Sequence, residues 1–110
     1  MKGTNLGELE ELIMLSVGIL YDEAYGIAIQ NEIKERCNRS ITISTVHSVL
    51  GRLEDKGFIS ARYGGATPER GGRRKRLFTL TSSGEATITK MRKMRNNMWD
   101  SIPKVALGNA

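Results

Sequence analysis

Apolar positions recur along the chain with a helical period, switch to alternation, and return to a helical period. In ELEELIMLSVGIL, Leu9, Leu12, Ile13, Val17 and Leu20 are spaced as one helical stripe. Met14, Leu15 and Ile19 add apolar bulk off that stripe, so this helix is central or shared with another subunit. Glu8, Glu10 and Glu11 fill its first turn, where carboxylates meet the positive end of a helix. YDEAYG breaks the pattern. GIAIQNEIKERCNRS then predicts a second helix, with Ile29, Ile33 and Cys37 on one stripe and Cys37 expected to be buried.

A third helix is predicted over 43–56. Thr42 is a good N-cap, Val46, Leu50 and Leu53 form one buried face, and Gly57 suits the position just past the end. FISARY and RRKRLFTL have strand character, with Phe78 and Leu80 on one face of the second. Four glycines and Pro68 lie within 64–72, so the connection is a long loop rather than a two-residue turn. From Thr81 the helical period returns: Ser82 or Ser83 can cap, Glu85 lies in the first turn, and Ile88, Met91, Met94 or Arg95, Met98 and Ile102 follow three-four spacing. The fold class is therefore mainly α with a small β-hairpin. Three short helices before a basic hairpin predict a winged helix-turn-helix over 1–81, followed by a C-terminal helix over 82–103 and a flexible tail over 104–110.

A chain of 110 residues accommodates one small domain. Its net charge of +5 is unevenly placed. Residues 1–36 carry three basic and seven acidic side chains, and residues 37–110 carry fourteen basic and five acidic. Such segregation implies an anionic partner for the basic part, with nucleic acid ahead of a membrane surface. A membrane role would need an adjoining amphipathic helix with large apolar anchors, and none adjoins the hairpin. The single cysteine, Cys37, cannot form an internal disulfide or by itself a metal site, and the expected location is the cytoplasm. No cofactor or metal is expected. One histidine, one cysteine and no recognised catalytic motif argue against an enzyme.

If Val46, Leu50 and Leu53 point inward, Ser44, Thr45, His47, Ser48 and Arg52 lie outward or on the flanks of the third helix. Small hydroxylated side chains allow close approach and bond phosphates or base edges, and Arg52 can reach a phosphate or a guanine. Gly51 costs a helix about 0.5–1 kcal/mol relative to alanine, either because a side chain is unwelcome there or because the cost is tolerated. In the hairpin, Arg62, Arg70, Arg73, Arg74, Lys75 and Arg76 face one acid, Glu69. Their forked or ammonium donors match phosphate oxygens, and Arg70, Arg73, Arg74 and Lys75 are the expected wing contacts within 62–76. The partner is thus expected to be double-stranded DNA. An RNA or a protein partner for the same module is the alternative.

AYGIAI at 24–29, STVHSVLGRLEDKGFIS at 44–60 and RGGRRKRLFTLTSSGEA at 70–86 resemble the PadR family of bacterial transcriptional regulators, in its compact branch with a short C-terminus. The resemblance implies a homodimer joined through the last helix, often with help from the first. It also implies a palindromic operator read by two recognition helices, and repression relieved by a small molecule or another signal. Met91, Met94, Met98 and Trp99 would then form the dimer interface, where some compact members hold flat, apolar compounds. Two departures from the family's habit stand out. His47 stands where tyrosine is usual and Ser48 where proline is common. Leu77 and Phe78 replace a pair of aromatic residues often found in the second wing strand.

Overall fold

The computed structural model describes residues 6–66 and 74–108, with the backbone alone at 65, 66 and 74. Helix α1 spans Glu8–Leu20 and runs into a 3-10 turn at Tyr21–Glu23; α2 spans Gly26–Cys37 and α3 spans Ile43–Asp55. Strands β1 (Ile59–Ala66) and β2 (Arg74–Leu80) form an antiparallel pair, and α4 (Ser82–Asp100) follows. The register runs from Ile59 opposite Leu80 to Tyr63 opposite Arg76, then shifts, so that Ala66 faces Arg74. The order matches the one read from hydrophobic spacing.

The core lies where α1, α2 and α3 meet the base of the hairpin. Ile13, Met14 and Val17 come from α1, Ile29 and Ile33 from α2, and Val46, Val49, Leu50 and Leu53 from α3. Phe58, Ile59 and Phe78 close it from the strand side. Phe78 also donates its N–H to the carbonyl of Ala24 at 2.9 Å, tying β2 to the segment between α1 and α2. Leu80 is only half-buried, whereas its neighbour Leu77 is buried on the other face of the strand, against Gly64.

The turn between α2 and α3 is fixed at both ends. Asn38 ends α2 in the left-handed region, at φ 51°, a conformation that asparagine tolerates. The Gln30 amide donates to the carbonyl of Ile41 at 2.8 Å. Thr42 caps α3 as expected, its Oγ1 accepting the Thr45 N–H at 3.1 Å. Gly57, at φ 80°, lets the chain leave α3 for β1.

Two expectations need correction. Cys37 is exposed, although Ile29 and Ile33 on the same stripe are buried. It is the last residue of α2, where the backbone turns away and no neighbouring element covers the stripe. The cap of α4 is Thr81, not Ser82 or Ser83. Thr81 accepts from Gly84 N–H at 3.0 Å and donates its hydroxyl to the Gly57 carbonyl at 2.6 Å. Its own N–H donates to the Phe58 carbonyl at 3.0 Å. Beyond α4, an exposed 3-10 turn spans Lys104–Leu107.

Only the first part of α4 rests on the body. Gly84 is buried, and Ile88 and Met91 pack against the core margin, but every residue from Arg92 to Asp100 is exposed. An Arg95–Glu11 ion pair at 2.8 Å is a tie from this outer half back to α1. The longest dimension of the molecule is 59 Å against 32 and 21 Å for the others, as a projecting helix requires.

Candidate nucleic-acid interface

Helix α3 has two chemically distinct sides. Val46, Val49, Leu50 and Leu53 are almost fully buried. Ser44, His47 and Ser48 are exposed on the opposite side. Thr45 is half-buried, and its hydroxyl accepts from that of Thr42 at 3.0 Å, so it belongs partly to the helix cap. The first two turns therefore present hydroxyl and imidazole groups near a helix end whose backbone amides carry partial positive charge.

His47 lies against the start of α2. A Cβ placed on Gly26 would stand 2.9 Å from His47 Cε1 and 3.0 Å from Nε2. Gly26 thus lets the imidazole lie on the α2 backbone. Tyr25, the residue before it, caps α2 with its backbone, and Lys75 Nζ sits 4.5 Å above the centre of its ring. This cation–π contact is worth about 0.5–1 kcal/mol at a partly exposed site. Through Tyr25 and Gly26, the start of β2, the start of α2 and the outer side of α3 form one surface.

Other cations near this surface are committed to protein partners. The Arg76 guanidinium holds both carboxylate oxygens of Glu54 at 3.0 Å and lies 5.4 Å from the Phe78 ring centre, fastening β2 to α3. Arg62 lies 3.7 Å from Asp22. Arg52 Nε is 3.8 Å from Glu10, with the side chain half-exposed. Of the expected wing contacts, Arg70 and Arg73 lie outside the described residues, and Arg74 is described only as the first backbone position of β2.

Glu10 is the one strongly buried carboxylate among the described residues, at 7% exposure. It accepts from Lys56 Nζ at 2.8 Å and from Gly7 N–H at 2.8 Å. Burial pushes its pKa up, but the bonds from Lys56 and Gly7 and the charges of Lys56 and Arg52 outweigh that, leaving it below the ordinary value. The sequence marked Glu10 only as a first-turn residue. Its partners Arg52, on α3, and Lys56, just past its end, are more than forty positions away, and no local pattern reveals them. The Tyr25–Gly26–His47–Lys75 cluster likewise joins elements distant in sequence, and AYG is its one local mark.

The sequence pattern of the PadR-like transcriptional regulators matches residues 14–90. The chain belongs to that family. An uncharacterised protein of Lysinibacillus sphaericus is 37% identical over 87 residues, covering 77% of this chain and 75% of its own. A PadR-like transcription factor of Bacteroides fragilis superposes with a TM-score of 0.69 at 24% identity, over 84% of each chain. Bacillus subtilis PadR, solved in complex with operator DNA, gives 0.63 at 26% identity, over 79% of this chain and 48% of its own. Four helices and a two-stranded antiparallel hairpin are the winged-helix architecture of these PadR structures.

In this PadR-family chain the four residues singled out on α4 are not gathered into one site. Met91 and Met94 line a groove with Leu6, Ala86, Thr87 and Lys90. Trp99 lines a separate shallow hollow with Asp100, Ile102, Lys104 and Leu107. Met98 lines neither and is 66% exposed. Among the described residues no helix is long and apolar enough to cross a membrane.

Proposed function

We propose that the protein is a sequence-specific DNA-binding regulator that acts as a homodimer and represses transcription from a palindromic operator. The observation that carries this reading is the two-sided α3. Its inner side is wholly committed to the core, and its outer side offers Ser44, His47 and Ser48 beside the wing. A helix of this kind fits the major groove, where base edges differ most. Thr45 and Arg52 act at the margins of the contact: Thr45 supports the cap, and Arg52 is shared between Glu10 and a DNA phosphate. Residues 1–81 form the reading unit. The wing arginines Arg70, Arg73 and Arg74, with Lys75, bind the phosphate backbone or the minor groove. The operator complex of Bacillus subtilis PadR supports this partner class.

The homodimer is formed through residues 82–103, that is α4 and the three residues after it, with help from α1. The exposed Met94, Met98 and Trp99, together with Leu15 and Ile19 of α1, are the apolar surface that pairing would cover. A twofold axis uses this patch twice. A flat, apolar effector would bind at this interface, beside Met91, Met94, Met98 and Trp99 as two copies bring them together.

The wing assignment is tested by salt. Each phosphate neutralised contributes about 0.9 to the slope of log affinity against log salt concentration on duplex DNA. Replacing Arg73 and Arg74 by alanine lowers affinity and flattens that slope by roughly two such contributions. An unchanged slope would sink the assignment.

A further inference from the structure

We infer that Ile43 recognises the 5-methyl group of a thymine in the operator half-site; this rests on the DNA-binding reading above. Ile43 is the first residue of α3, and its side chain is 37% exposed. It stands on the same face as His47, one turn earlier. Both lean on Gly26: a Cβ there would be 3.3 Å from Ile43 Cδ1 and 2.9 Å from His47 Cε1. Ile27, next along α2, is 53% exposed. The outer end of α3 thus combines hydroxyls and an imidazole with an apolar patch at the junction with α2.

The core does not require an apolar side chain at this position, because Val46, Val49, Leu50 and Leu53 already fill the inner side. Residues at the start of a recognition helix are the ones that reach base edges. In the major groove those edges carry one apolar group, the thymine methyl. A β-branched side chain has one strongly preferred rotamer in a helix, so Ile43 presents its methyl groups at a defined place. Cytosine at the same position would lack the methyl group and leave its amino group facing hydrocarbon, without a partner.

Burying one methyl group is worth about 0.8 kcal/mol, or about four-fold in Kd. The test uses the full chain and a duplex that it selects from a random pool. Each thymine of one half-site is replaced in turn by deoxyuridine, which pairs alike but lacks the methyl group. Affinity should fall about four-fold at one position. Ile43→Ala should bind the parent duplex more weakly and no longer distinguish thymine from uracil there. Ile43→Val should keep most of the distinction, and thermal melts should show both variants folded. Indifference to every thymine methyl, or the same loss in Ile43→Ala as in the parent, overturns the inference. If the protein still binds duplexes in that case, the DNA-binding reading survives; if it selects no duplex, both fall together.

Discussion

Gly84→Ala tests how α4 is joined to the body. A Cβ at this position would lie 2.0 Å from the carbonyl oxygen of Phe58. Close carbon–oxygen contacts are ordinarily about 3.3–3.6 Å, so the first turn of α4 or the Phe58 carbonyl must move by more than about 1 Å. That carbonyl accepts the Thr81 N–H, and Thr81 in turn caps α4 and bonds Gly57. Overpacking of this kind costs about 1–3 kcal/mol. Loosening the cap and the hydrogen bonds around it adds about 1–2 kcal/mol. Alanine returns about 1 kcal/mol through its higher helix propensity. The net expectation is a loss of about 1–4 kcal/mol, or on the order of 5–25 °C in Tm for a domain of this size. Thermal and urea denaturation followed by circular dichroism measure it. A variant as stable as the parent, or more stable, would refute the close packing of α4 on Phe58.

Other substitutions probe separate parts of the surface. Near neutral pH, Glu10→Gln should cost about 2–3 kcal/mol, because Lys56 and Arg52 lose a buried partner, although each can turn partly to water. The depressed native pKa of Glu10 means that its contribution is complete above the ordinary carboxylate value and is lost as pH falls through the native value. The difference in urea midpoint between parent and Gln variant should therefore shrink on acidification, and a gap independent of pH would contradict this. At Gly51 nothing lies within 4 Å of an added Cβ, so Gly51→Ala should stabilise the fold by about 0.5–1 kcal/mol. A simultaneous fall in DNA affinity would mean that the bare backbone serves the contact, and a fall in stability would contradict the open surroundings. Gly26→Ala should displace the His47 imidazole and weaken binding to the selected duplex with little change in Tm. Unchanged affinity would remove His47 and its platform from the interface.

Hydrophobic spacing made the order of elements legible because each buried stripe belongs to one helix or strand. It placed α3 to within a residue and identified Thr42 and Gly57, whose roles are local. It failed where the decisive neighbour is remote. Cys37 continues the stripe of Ile29 and Ile33, but the stripe outlasts the surface that covers it. Serines after Thr81 offered equally good capping chemistry. The choice of Thr81 follows from its bonds to Gly57 and Phe58, which bring the end of α3 and the start of β1 to it. On α4 the methionine spacing continues past Met91, yet spacing alone cannot show that the body ends there. Along the interface, Ser44, His47 and Ser48 were legible as the outer side of an amphipathic helix. The pairing of Arg52 with Glu10 and of Lys75 with Tyr25 was not, since each joins elements distant in sequence.

The central claim is that two copies of this chain read duplex DNA through α3. Selection of bound duplexes from a random pool by the full-length protein tests it most directly. The enriched sequences should be inverted repeats with half-sites centred about 34 Å apart, one helical turn, or a multiple of that spacing. No enrichment, enrichment of a single asymmetric site, or stronger binding to RNA of the same sequence would contradict the account.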